Sequence, residues 1–153
     1  MHTKSIMKLN QSIEFHIRTT SLALSRMYNV IASDYGITQT IGYILTYIEK
    51  QGTPSTRIAT QLGMKKSSLT RILKKMEEDG CIYRVSDIND KRIVKIFLTE
   101  KGVARRKIAK KTVLDFNEKL NSFLEEEDLE RFAKVTDIIK ELVNEELNRR
   151  SIK

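Results

Sequence analysis

The side chains best suited to chemistry lie on one face of a helix predicted over residues 66–78. Apolar residues recur at i, i+3, i+4 and i+7 across residues 69–76, which predicts one buried stripe. The opposite face carries hydroxyls and cations and no carboxylate before Glu77. Such a face can read base edges and bind phosphates, which predicts DNA recognition; an ordinary amphipathic surface helix is the alternative. The candidate contacts are Lys66, Ser67, Ser68, Thr70, Arg71, Lys74 and Lys75.

A shorter helix is predicted immediately before this recognition helix, over residues 55–62, with Ser55 as its N-cap. Gly63 supplies the tight turn between the two helices, so the pair forms a helix–turn–helix. Ser55 and Arg57 are its candidate DNA contacts.

Two β-strands are predicted after the recognition helix, at residues 82–85 and 93–98, because both runs are rich in branched and aromatic residues. The polar segment between them, residues 86–92, carries Lys91 and Arg92 at or near its tip. A hairpin with a cationic tip can send an arginine into the DNA minor groove. The sequence therefore predicts a two-stranded β-wing.

The positive charge of the chain is concentrated around these elements. The formal net charge is +8, yet residues 57–111 carry 16 Lys+Arg against 6 Asp+Glu. Such a band is expected of a phosphate-binding surface, and a merely solvated basic face is the alternative.

Four longer helices are expected to position this module. The first covers residues 6–34 and ends near Gly36. The second is capped by Thr38 or Thr40 and runs to about residue 50. The third runs from residue 100 to about residue 121 with Thr99 as its cap, and the last has the acidic run at residues 125–128 at its N-terminus, where the helix dipole favours negative charge. The predicted fold class is mainly α with a small β-wing (α+β).

Composition limits the class of protein. A chain of 153 residues fits one domain, and no apolar run approaches the roughly 20 residues of a membrane span. No signal peptide is recognisable, so we expect a cytoplasmic location without membrane association. The sequence contains no glycine-rich phosphate loop, nucleophile elbow or metal-ligand spacing, so we expect neither an enzyme nor a cofactor.

Residues 67–102 resemble the MarR family of winged-helix transcriptional regulators, and the order of elements resembles it over nearly the whole chain. The matching motifs are LTRIL at 69–73, an E-x-D-G before the wing, D-x-R at 90–92 and LTEKG at 98–102. The resemblance implies one MarR-like domain over residues 1–153. Residues 37–102 would form the DNA-binding lobe, and residues 1–34 and 103–150 the dimerisation helices.

The resemblance also implies partners and residue roles. Family members are typically homodimers that bind double-stranded DNA at a palindromic operator. By that resemblance Arg92 enters the minor groove, Asp90 helps to hold the wing in shape and Lys91 meets phosphate. The chain departs from the family pattern at Asn89, where many wings carry arginine, and at Cys81, where an aliphatic residue is usual.

Four residues are candidates for a small-molecule pocket: His16, Tyr28, Tyr43 and Tyr47. His16 interrupts the apolar stripe of the first helix, and a neutral core or boundary histidine is the alternative interpretation. The tyrosines could line a cavity or simply pack. The apolar cavity walls favour a small aromatic or acyl effector.

Cys81 and the two histidines have less specific interpretations. Cys81 could be a redox switch, but a buried small apolar role is favoured because the peroxide sensors of the family use a cysteine in the first helix. His2 and His16 do not form the cluster that a metal sensor needs.

The sequence therefore predicts a dimeric, ligand-responsive repressor that binds DNA sequence-specifically. The main alternative is a sequence-tolerant architectural DNA-binding protein without a small-molecule ligand. A second is a protein-interaction module that uses the winged fold without DNA, in which case the basic band would have no explanation.

Overall fold

The computed structural model describes residues 8–151, which form two compact units: one up to Lys111 and one from Thr112. Residues Ile6 and His2, used in the sequence interpretation, lie outside the described range. The elements in chain order are a 3-10 turn at Leu9–Gln11, α1 (Ile13–Ser33), α2 (Gln39–Tyr47), β1 (Thr53–Pro54), α3 (Ser55–Gln61), α4 (Lys66–Glu78), β2 (Ile82–Ser86), β3 (Val94–Leu98), α5 (Glu100–Asn121) and α6 (Glu126–Ser151). The expected mainly helical fold with a small sheet is confirmed.

The hydrophobic core of the first unit lies among α2, α3, α4 and the sheet. Ile44 and Leu45 of α2, Ile58 of α3 and Ile96 of β3 are completely buried. Leu69, Leu73 and Met76 of α4 are buried beside them, as the apolar stripe predicts, while Ile72 is half-buried. Burying such side chains supplies roughly 1.5–3 kcal/mol each, which fixes the inner face of α4 and leaves its polar face outside.

The two predicted strands pair as an antiparallel hairpin, β2 with β3, and a strand that was not predicted, β1, extends the sheet to three strands in the order β1-β3-β2. Thr53 pairs with Ile96, and Pro54 pairs with Lys95, both antiparallel. A strand of two residues has no periodicity to detect, and Pro54 is tolerated because β1 lies at the sheet edge. β3 begins at Val94 rather than residue 93, because the Ile93 N–H donates to the Asp90 carbonyl in the turn.

The predicted helix–turn–helix is present as α3 and α4, and the N-cap of α3 differs from the prediction. Pro54 rather than Ser55 occupies the N-cap of α3, without a side-chain cap hydrogen bond, and Ser55 is the first helical residue. Gly63 turns the chain at a φ of 60°, a left-handed conformation that glycine adopts without steric cost.

α2 ends at Tyr47, earlier than predicted. The buried Thr53 explains this, because its Oγ1 accepts from the Glu49 N–H at 2.8 Å and donates to the Tyr47 carbonyl at 3.2 Å.

The first predicted helix also begins later than expected. Residues 8–12 are not part of α1, because Ser12 is its N-cap and accepts from the Phe15 N–H at 3.1 Å. A helix cap of this kind fixes the start of a helix independently of the apolar spacing. The predicted cap of α2 is Thr38, whose side chain accepts from the Ile41 N–H.

The end of α4 and the start of α5 are joined by backbone contacts. Thr99 caps α5 as predicted, accepting from the Gly102 N–H at 3.1 Å, while its hydroxyl donates to the Gly80 carbonyl at 2.7 Å. Gly102 approaches Cys81 so closely that an added Cβ would overlap the Cys81 carbonyl oxygen. Only glycine fits this position without moving the backbone.

The second unit contains the end of α5 and helix α6, which begins at Glu126, within the acidic run at residues 125–128. The Glu125 N–H donates to the Asp128 carboxylate at 3.2 Å, and three acidic residues occupy the first turn. α6 buries none of its residues. No helix among residues 8–151 is long and apolar enough to cross a membrane. The large exposed apolar side chains of α6 are Leu129, Phe132, Val135, Ile138, Leu142, Val143 and Leu147.

Replacing Gly102 with alanine should destabilise the first unit although alanine is normally the better helix former. We expect a loss on the order of 2 kcal/mol in the free energy of unfolding, because the added methyl group forces backbone away from the Cys81 carbonyl. Urea denaturation followed by circular dichroism measures this loss.

Gly42→Ala is the matched control for this substitution. A Cβ at Gly42 would meet the Ala109 Cβ at 3.6 Å, an ordinary contact, so we expect a neutral effect or a gain of up to about 1 kcal/mol. Equal effects of the two substitutions would contradict the proposed role of the close approach.

Candidate nucleic-acid interface

The outer face of α4 presents an uninterrupted polar surface. Its predicted contacts are all exposed, opposite the buried Leu69 and Leu73. The Thr70 hydroxyl donates to the Lys66 carbonyl at 2.8 Å. Its oxygen can therefore still accept a hydrogen bond from a partner, and its methyl group can still make an apolar contact. The exposed set is Lys66, Ser67, Ser68, Thr70, Arg71, Lys74 and Lys75.

The N-terminus of α4 is arranged for an anion. Its N-cap residue is Lys65, there is no side-chain cap hydrogen bond, and the first turn contains no acidic residue. Free N–H groups and the positive end of the helix dipole therefore coincide with the ammonium groups of Lys65 and Lys66. Cations at this end are unfavourable in the isolated chain, whereas a phosphate would satisfy both the N–H groups and the lysines.

The carboxylates at the other end of α4 are paired with cations. Glu77 lies 3.0 Å from the Arg84 guanidinium on β2, and Glu78 lies 3.9 Å from the Lys74 ammonium. The first pair connects the recognition helix with the wing. The second is exposed and weak, so it leaves Lys74 able to exchange Glu78 for another anion.

The two candidates on α3 are less available than their sequence position indicates. Ser55 is half-buried. The Arg57 guanidinium lies 2.8 Å from the Glu49 carboxylate, with half of its side chain exposed. Arg57 would have to leave or share Glu49 to contact a phosphate, and the sequence does not indicate this partner.

Asp87 is the residue that organises the wing turn. Its Oδ1 accepts from the N–H groups of Asn89 at 2.9 Å and Asp90 at 3.3 Å. Its Oδ2 lies 2.6 Å from the Lys95 ammonium, and its own N–H donates to the Ile93 carbonyl. Sequence reasoning missed this role; the signal was an aspartate followed two residues later by asparagine, which is typical of an Asx-turn.

The wing tip carries two cations and one aliphatic side chain. The Asp90 Oδ1 accepts from the Arg92 N–H at 3.0 Å and lies 3.3 Å from its Nε, so the two residues are brought together. The Arg92 side chain is nevertheless 92% exposed, and Lys91 is also exposed. Ile88, which sequence reasoning passed over, is 95% exposed.

Of the pocket candidates, Tyr28 is half-buried on α1 and Tyr43 is exposed on α2. Burial, and to a lesser extent Tyr43, raises the pKa of the Tyr28 phenol above its ordinary value. The Tyr43 hydroxyl accepts from the Gln39 amide at 3.2 Å. Tyr47 is half-buried on the same helix as Tyr43, and His16 is exposed with its ring edge-on to Phe15.

Cys81 is buried, as predicted for a small apolar residue, with 1% of its surface exposed. Its thiol has a polar neighbour as well, because the Arg105 guanidinium donates to Sγ at 2.9 Å. The cysteine therefore lies under the first turns of α5.

A helix–turn–helix with an exposed cationic second helix and a β-wing defines a winged-helix DNA-binding protein. Residues 37–94 match the model of the MarR family. The transcriptional regulator ZitR of Lactococcus lactis is 33% identical over 99 residues, covering 62% of this chain and 68% of that protein. The chain belongs to the MarR family, which consists of transcriptional regulators rather than enzymes.

Two further comparisons agree with this family. The regulator TtmR of Methylorubrum extorquens is 30% identical over 95 residues, which cover 61% of this chain and 49%, about half, of that protein. A structure of the Staphylococcus aureus MepR–DNA complex has a TM-score of 0.78 at 24% identity, covering 86% of this chain and 98% of that one. The second likeness concerns the fold alone.

Low pH should loosen the wing turn through Asp87. The Lys95 ammonium, helped by the N–H groups of Asn89 and Asp90, holds the pKa of Asp87 below its ordinary value. The charged form therefore stabilises the turn fully above the ordinary carboxyl pKa of about 3.9, and this contribution is lost as the pH falls through the lower folded-state pKa.

An NMR titration of the Asp87 carboxyl carbon, with hydrogen exchange at Asn89 and Asp90, measures this effect. The protection factors of the Asn89 and Asp90 N–H groups, which are their exchange rates corrected for the intrinsic pH dependence of amide exchange, should fall in acid in the wild type, and Asp87→Asn should remove that fall. An Asp87 titration at or above ordinary aspartate values would contradict the assignment.

Proposed function

We propose that the protein is a sequence-specific repressor that binds a palindromic operator as a homodimer and is released by a small molecule. The observation that carries this proposal is the polar, uncapped and cationic face of α4, adjoining a wing whose cationic tip is fixed by hydrogen bonds. MepR, which shares the fold, was solved in complex with DNA. Such a protein would act on DNA in the cytoplasm.

The residues divide by the part of DNA that each would contact. Ser67, Ser68 and Arg71, in the first half of α4, would read base edges in the major groove. The lysines of α4 and Lys91 would contact phosphates, and Arg92 would enter the minor groove. The phosphate contacts would release counterions, so affinity should fall steeply as salt increases.

The terminal helices support the homodimer. α1 and α6 bury no residue within the single chain, although they carry large apolar side chains such as Ile17 and Phe132. Exposed apolar surface of this extent is typical of a protein interface. We propose that residues 1–34 and 103–150 form the dimer and that residues 37–102 form the DNA-binding lobe.

Tyr28 on α1 and Tyr43 on α2, whose hydroxyls interact electrostatically, support the effector part of the proposal. Aromatic rings that carry hydroxyls suit a small aromatic or acyl compound. Release would follow if this compound binds better to a dimer whose recognition helices do not match successive major grooves.

Selection of duplexes from a random library by the wild-type protein, at about 0.15 M salt, tests the proposal directly. A palindromic motif with half-sites about one helical turn apart is expected. Binding without sequence preference would instead favour an architectural DNA-binding protein. Absence of binding to any duplex would contradict DNA recognition.

Arg92→Ala should weaken binding to the selected duplex about 10- to 100-fold without unfolding the protein. The side chain is almost fully exposed, and the Asp90 carboxylate, which it contacts, keeps its bond from the Arg92 backbone N–H. Fluorescence anisotropy measures affinity, and thermal unfolding measures stability.

Arg131→Ala is the matched control, because Arg131 is also an exposed arginine paired with a carboxylate, at 2.8 Å from Glu127, but it lies on α6. It should leave binding within about twofold of wild type. Equal losses for both substitutions would refute a specific wing contact.

Leu142→Lys should dissociate the homodimer, because it places a charge in the apolar face of α6 that would have to be desolvated. Asn144→Lys adds the same charge on the other side of the helix and should leave the dimer intact. Sedimentation velocity distinguishes the two outcomes, and a dimeric Leu142→Lys variant would exclude this face from the interface.

A further inference from the structure

Ile88 is an aliphatic residue at the apex of an otherwise polar wing turn. It is 95% exposed, more than any other large apolar side chain in the described chain. A side chain in this position contributes almost nothing to the core, since it buries no apolar area within the fold. Single exposed apolar residues are common on protein surfaces, so the surroundings of Ile88 must decide its role.

The first relevant feature is that the turn holds Ile88 in place. The residues on either side of it are linked, because the Asp87 carboxylate accepts from the N–H groups of Asn89 and Asp90. The turn is closed again where the Ile93 N–H donates to the Asp90 carbonyl at 2.9 Å. A side chain on a fixed backbone loses little conformational entropy on binding, so even a small contact can count.

The second feature is the charge at the same tip. Lys91 and Arg92 are both exposed, and Arg92 projects 92% of its side chain into solvent. This combination of one aliphatic residue and neighbouring cations fits a nucleic-acid groove, where cations meet phosphates and an apolar side chain meets the groove floor. A lipid surface would need a larger apolar face than one isoleucine.

We propose that Ile88 contacts the floor of the minor groove and makes the protein prefer A·T over G·C at the base pair beneath the wing tip. This inference rests on the proposed DNA-binding function. It assigns part of the sequence specificity to a residue that makes no hydrogen bond to DNA.

The preference follows from the one group that distinguishes the pairs in the minor groove. Both kinds of pair present acceptors there, but G·C adds the guanine N2 amino donor. An isoleucine cannot accept from that donor and would exclude the water that otherwise does, leaving a buried donor unsatisfied. An A·T pair has no amino donor in the minor groove, so contact with the isoleucine leaves no donor unsatisfied there and lacks this free-energy cost.

Inosine makes the test specific, because an I·C pair keeps the major-groove pattern of G·C and lacks the N2 amino group. The probe is the duplex that the wild type selects from a random library, with each A·T pair changed in turn to G·C and to I·C. Anisotropy at about 0.15 M salt should show one position per half-site where G·C weakens wild-type binding about 5- to 20-fold and I·C restores it.

Ile88→Ala should reduce this G·C penalty to less than about twofold, since the smaller side chain leaves room for water at the amino group. Asn89→Ala is the control at the adjacent exposed position, where only the backbone N–H bonds to Asp87, and it should retain the full penalty. Thermal unfolding of both variants should match wild type, because neither side chain is buried.

The outcomes separate the inference from the function on which it rests. If the wild type selects no duplex, the proposed DNA-binding function itself fails. If it binds a selected duplex but shows no position where I·C rescues G·C, or if Ile88→Ala keeps the penalty, the role of Ile88 is overturned while DNA binding stands.

Discussion

The close approach between Gly102 and Cys81 is the constraint on which the first unit depends. Backbone meets backbone here, so the first turn of α5 and the end of α4 cannot move separately. The Thr99 hydroxyl and the Lys101 ammonium donate to the Gly80 and Asp79 carbonyls, which strengthens the same junction. β2 begins at Ile82, directly after Cys81, and β3 ends at Leu98, directly before Thr99. The recognition helix, the wing and α5 are therefore all connected at this junction.

A second contact joins the wing to α4. The Arg84–Glu77 ion pair adds a second link between the wing and α4, at 3.0 Å. The outer face of α4 and the wing are therefore joined at two places within the first unit, the Gly102–Cys81 junction and this ion pair.

Sequence patterns predicted the elements whose determinants are local. The bounds of α5 follow from long helical periodicity and from the Thr99 cap, and the exposed polar face of α4 follows from its buried stripe. The end of α2 and the strand β1 depend on Thr53, whose bonds to Tyr47 and Glu49 form only after the chain has turned. The same holds for the candidate site. The exposure of the polar side chains on α4 could be predicted from the sequence, whereas the Arg57–Glu49 ion pair is seen only in the folded structure.

A count of charged residues in the sequence also cannot show which cations are free to bind a partner. This matters for the electrostatics of the candidate nucleic-acid interface. Beside the cations that pair with carboxylates, three of the 16 cations in residues 57–111 donate to uncharged acceptors inside the unit. Arg106 donates to the Ile48 carbonyl at 2.9 Å, Arg105 to the Cys81 thiol and Lys101 to the Asp79 carbonyl. These three side chains link segments of the first unit through hydrogen bonds to carbonyl and thiol acceptors. They are therefore not available to bind phosphates. The salt dependence of DNA binding should therefore reflect the exposed cations of α4 and the wing, which are fewer than the composition indicates.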